Sequence, residues 1–99
     1  MYELITKSEY EKIHKTALKY ISERNKNYIN KFLSKSTKSE QMFGNNYSFV
    51  SKVENKIYIQ LTISECNDEW FIVKCSSNQY YKCDQIDGLY LLLSTITNI

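Results

Sequence analysis

The sequence predicts an α+β two-layer domain, on three observations. Apolar residues recur at a helical period across residues 8–34, the period drops to two across 47–83, and a helical period returns over 85–97. Ninety-nine residues suit one domain, 1–99, with a modest core. A 42% hydrophobic and 24% charged composition is that of a globular chain. With no Pro and two Gly, the turns must rest on Asn, Asp and Ser, which hydrogen-bond locally and tolerate left-handed backbone.

Each element has its own signal. Ser8 followed by Glu11 fits a capping box that opens a helix. Tyr10, Ile13, Ala17, Tyr20, Ile21, Tyr28 and Phe32 then fall within an arc of roughly 120° on the wheel. Asn25-Lys26-Asn27, three poor helix formers in a row, is the place where that helix is expected to kink. The polar, aperiodic 34–41 reads as a linker, and Gly44 with two Asn as a turn. Four antiparallel strands follow as a meander. The first alternates over 47–53 and ends at a Glu54-Asn55 turn. The second, over 57–63, alternates most cleanly. Trp70 to Cys75 is nearly continuous in apolar character, and Tyr80 to Cys83 is short. Asp84 is placed as the N-cap of the last helix, with Ile86, Leu89, Leu93 and Ile96 on its buried face. Both helices are expected on one face of the sheet.

Few patterns carry chemistry. Cys66, Cys75 and Cys83 are spaced nine and eight apart, with no close pair of the kind zinc sites use, and the one His lies far away at His14. No secretory signal or long apolar run is visible, so the chain reads as intracellular with reduced thiols that pack as small hydrophobes. A Cys75–Cys83 disulfide across the 76–79 turn is the competing arrangement. Glu65, Asp68 and Glu69 read as turn residues, Asp84 and Asp87 as helix-start residues, and no glycine-rich phosphate loop exists. No catalytic residue, metal ligand or cofactor is therefore expected, and the protein is read as non-enzymatic.

Two surface features point to partners. Leu91 projects away from the buried face of the last helix, and with Tyr90 it makes that helix apolar almost all round. Trp70-Phe71 begins a run that fills both faces of a strand. Leu91, Tyr90, Trp70 and Phe71 are thus the candidate interface for a protein partner or a second copy in a homo-oligomer. The alternative is nucleic acid. Residues 1–40 carry nine Lys/Arg against five Asp/Glu, and Lys12, Lys15, Lys19 and Lys26 fall within about 60° of one helix. Against it stands a whole-chain net charge of only +2.

The Trp-aromatic strand, YYKCDQIDGL and the leucine-rich end, spanning roughly residues 57–93, resemble the tail of small uncharacterised proteins of large DNA viruses of protists. The resemblance implies a viral protein, in host cytoplasm or virion. It carries over no catalytic or binding residue.

Overall fold

The computed structural model describes residues 1–34, 39–43, 45–50, 57–67, 69–76 and 78–97. The order is β1 (Tyr2–Ile5), α1 (Lys7–His14), α2 (Glu23–Ser34), β2 (Ser39–Phe43), β3 (Asn46–Val50), β4 (Ile57–Glu65), β5 (Trp70–Cys75), β6 (Tyr80–Asp84) and α3 (Gln85–Thr97). The α+β class holds. The strands form one antiparallel six-stranded sheet ordered β1-β6-β5-β4-β3-β2, so the meander gains a strand at each edge. β2 begins inside the stretch expected to be a linker. The Glu54-Asn55 turn and the end of the first expected strand lie outside the described residues.

The long first helix is two helices. Its cap is Thr6, two residues before the expected Ser8: the Thr6 hydroxyl accepts from the Glu9 N–H at 3.1 Å and donates to the Glu9 carboxylate at 3.2 Å. The break falls at 15–22 rather than at Asn25-Lys26-Asn27. Its cause is tertiary. Glu65, nearly buried at the end of β4, accepts on Oε1 from the Ser22 N–H at 3.2 Å, the Ser22 hydroxyl at 3.0 Å and the Asn25 amide at 2.7 Å. The Glu65 carbonyl accepts from the Leu18 N–H at 2.9 Å. The sheet end thus takes backbone donors that a continuous helix would use internally, and gives buried Asn25 a charged acceptor that offsets its low propensity.

The two sheet faces are covered by different helices. Alternation along β5 sends Phe71, Val73 and Cys75 to one face, where they pack with Ile29, Leu61, Ile63, Cys83, Leu89, Leu92 and Leu93 beneath α2 and α3. Ile72 points the other way and joins Ile5, Tyr10 and Tyr80 beneath α1. α2 and α3 therefore share one face, as expected, but α1 lies on the other and supplies the second cover that the Trp70–Val73 run requires. Tyr10 sits between the His14 ring, stacked at 5.6 Å, and Tyr80 at 5.0 Å.

Tyr47 is 1% exposed in the larger core, and its hydroxyl has no hydrogen-bond partner among the described residues. Burial alone pushes its pKa up to about 12. An unpaired buried hydroxyl costs about 1–3 kcal/mol. Tyr47→Phe removes that cost with little change of shape. It is expected to raise the urea midpoint by the equivalent of about 1 kcal/mol. A lowered midpoint would contradict this.

Candidate protein-docking edge

β1 is an edge strand, paired on one side only. Tyr2 stands opposite Cys83, Glu3 opposite Lys82, Leu4 opposite Tyr81 and Ile5 opposite Tyr80. The Asp84 N–H donates to the Met1 carbonyl at 3.0 Å, which fixes the phase of the ladder. In an antiparallel pair such residues alternate, so residues 1, 3 and 5 turn their backbone groups toward β6. Tyr2 and Leu4 turn theirs outward, and no strand lies beside them among the described residues.

α3 runs alongside this edge. Gly88 lies against Met1 so closely that an added Cβ would collide with the Met1 carbonyl oxygen and the Asp84 carboxylate. Two turns along, the Tyr2 hydroxyl donates to Thr95 Oγ1 at 3.4 Å. Residues 88, 91 and 95 share a helix flank, so Leu91 lies between these two contacts, beside β1. Leu91 is 53% exposed and Leu4 66% exposed, and both lie on the α3 side of the sheet. The edge therefore offers unpaired backbone groups flanked by apolar side chains.

The other expected interface residues are placed differently. Phe71 is 1% exposed and belongs to the core, which corrects its assignment to a surface. Tyr90 closes the α2–α3 seam, its ring stacked on Phe32 at 5.2 Å. Trp70 is half-buried on the α1 side, with Lys82 Nζ 4.1 Å from its ring centre. Leu4 was missed because MYELI alternates too briefly to register as a strand.

The four lysines do not form one line. Lys12 is on α1, Lys15 is its C-cap, Lys19 lies in the connection near the Tyr20 ring, and Lys26 is on α2. The helix break removes the common axis from which their alignment was drawn.

Cys75 and Cys83 carry free thiols, and the sheet register keeps them apart. Cys83 stands opposite Phe71, whereas the Cys75 N–H donates to the Gln79 carbonyl at 2.9 Å. Four strand steps, roughly 13 Å, separate the two levels, beyond the span of a disulfide. Burial raises Cys75 to about 11 and Cys83 to about 12, so both stay protonated. Asp84 immediately precedes α3, where the cap is expected, and its carboxylate pairs with the Met1 amino group. Gln85, the first residue of α3, has a φ of 58°.

Among the described residues, no group of three or more His, Cys, Asp or Glu is placed to hold a metal ion. No helix among them is long and apolar enough to cross a membrane. A depression of about 380 Å³ on the sheet has Asn46, Ser48, Gln60, Thr62, Lys74 and Ser76 in its lining. Thr62 donates to Asn46 there and the Gln60 N–H to Ser76, which is the chemistry of a solvated sheet face. Compared with models of protein families, with curated proteins and with solved structures, the chain matches none.

Proposed function

We propose that this protein is a small non-enzymatic docking module that binds a protein partner along the β1/α3 edge. The observation that carries the reading is the outward row of Tyr2 and Leu4 backbone groups beside exposed Leu4 and Leu91. An extended segment added there gains main-chain bonds from the edge and buries apolar surface against the helix flank.

A photoreactive phenylalanine analogue in place of Leu91 tests this in cells making the protein. A protein adduct is expected from position 91, and it should disappear when Leu4→Pro removes the outward donor. The same analogue at Lys15 should give no nucleic-acid adduct. Failure to cross-link at 91, together with RNA or DNA adducts at 15, would overturn the reading in favour of the basic surface. Leu91→Asp should leave folding stability within about 0.5 kcal/mol, as its side chain is half in water already. It should weaken docking at least about tenfold, the worth of burying the exposed part of a leucine.

A further inference from the structure

We infer that the segment taken by the β1 edge belongs to another protein and carries a cationic residue flanked by apolar ones, a choice imposed by Glu3. This inference rests on the docking reading above. Glu3 sits midway between Tyr2 and Leu4, on the opposite side of the sheet from Leu4 and Leu91. It is exposed and has no ion pair among the described residues. Its cross-strand neighbour Lys82 has its ammonium over the Trp70 ring.

An added strand that bonds to the Tyr2 and Leu4 backbone places one residue opposite Glu3, on the Glu3 side. Its two neighbours point to the other side, beside Leu4 and Leu91. Opposite charges directly across a strand pair attract and like charges repel. The complementary sequence is therefore apolar, cationic, apolar.

The same residue disfavours a second copy of this chain. Antiparallel self-pairing needs outward residues to meet outward residues, so the two-fold axis passes through Tyr2, Glu3 or Leu4. The axis through Glu3 sets the two Glu3 carboxylates directly opposite each other, and the other two make them diagonal neighbours within reach. A charge on an edge strand is a common guard against self-pairing.

Two nine-residue peptides test this, one alternating valine with lysine and one alternating valine with glutamate, titrated into the isotope-labelled protein. Amide shifts are expected at Tyr2 and Leu4, with the lysine peptide binding about tenfold more tightly than the glutamate peptide. Glu3→Lys should reverse the preference. Leu4→Pro should abolish both interactions while leaving the Glu3 and Ile5 ladder signals in place, since only the outward donor is lost. Equal binding of the two peptides, with shifts at Tyr2 and Leu4, would overturn the cationic partner and leave the docking edge standing. A preference that survives Glu3→Lys overturns it too. A concentration-dependent dimer that Leu4→Pro dissociates would show the occupant to be a second copy instead. Absence of shifts at Tyr2 and Leu4 with either peptide also overturns the inference, and the docking edge falls with it if position 91 yields no adduct.

Discussion

Glu65→Ala is expected to lower folding stability by about 3 kcal/mol, a large share of what holds a domain of this size. One carboxylate oxygen accepts from the Ser22 N–H, the Ser22 hydroxyl and the Asn25 amide. Hydrogen bonds to a charged group contribute about 1.5–3 kcal/mol each, but these three share one acceptor, so their effects do not add. Ser22 is exposed and can turn to water, whereas Asn25 is buried and is left with an unsatisfied amide. The second consequence is local. The 15–22 connection loses its tie to β4 at the start of α2, so α2 amides should exchange faster than those of α3. Urea midpoints read the first effect and amide exchange the second. Adding Asn25→Ala to Glu65→Ala should cost little more, because the partner is already gone. A change below about 0.5 kcal/mol for Glu65→Ala would show that the break between α1 and α2 has another cause.

Alkaline pH is expected to unfold the protein through groups that are kept neutral in the core. Burial raises Cys75 from 9.0 to about 11, Cys83 from 9.0 to about 12, and Tyr47 from 10.0 to about 12. Tyr10, Tyr81 and Tyr90 shift in the same direction, chiefly through burial. Once the chain unfolds, these groups ionise at their ordinary values. Between the ordinary and the raised values the native state therefore holds more protons than the unfolded state, and stability falls as pH rises. Below the ordinary values both states are protonated and the contribution is complete. Each group adds a slope of about 1.4 kcal/mol per pH unit inside its window. Where the windows of Cys75, Cys83 and Tyr47 overlap, between about pH 10 and 11, the combined slope is about 4 kcal/mol per unit. Denaturant midpoints at pH 8, 9, 10 and 11 under reducing conditions check this. They should be flat at first and then fall steeply. Tyr47→Phe should make the fall shallower by one group. Midpoints that stay level through pH 11 would mean that the thiols and the phenol are not buried as described.

How much of this was legible in the sequence differs along the chain. The C-terminal third was well marked. Trp70–Cys75 and the helix over 85–97 fall where their patterns place them, because dense apolar runs are bounded there by Ser, Asn and Asp. The N-terminal third was misleading. Seven apolar positions fit a single wheel across a break of eight residues, yet Tyr20 and Tyr28 on that supposed buried arc are exposed. What divides the helix is Glu65, more than forty positions from Ser22, and no local pattern reports such a contact. β1 pairs with β6 across nearly the whole chain, and β2 was hidden in polar residues. At the candidate site, Leu91 was legible from its angle on α3, whereas Leu4 depended on a pairing that the sequence does not display. The Trp70–Val73 run fills both faces of its strand and reads in the sequence as a surface for another chain. It could not say that α1 of the same chain would supply the second side.

The outer edge of β1 should be covered when the protein is at work. Hydrogen exchange of the Leu4 amide, measured inside producing cells and in the purified dilute protein, is the decisive measurement. Slow exchange is expected in the cell, fast exchange in the dilute protein, and fast exchange in both for Leu91→Asp. Leu4 exchanging rapidly in the cell, with protection confined to the Glu3 and Ile5 amides that face β6, would contradict it.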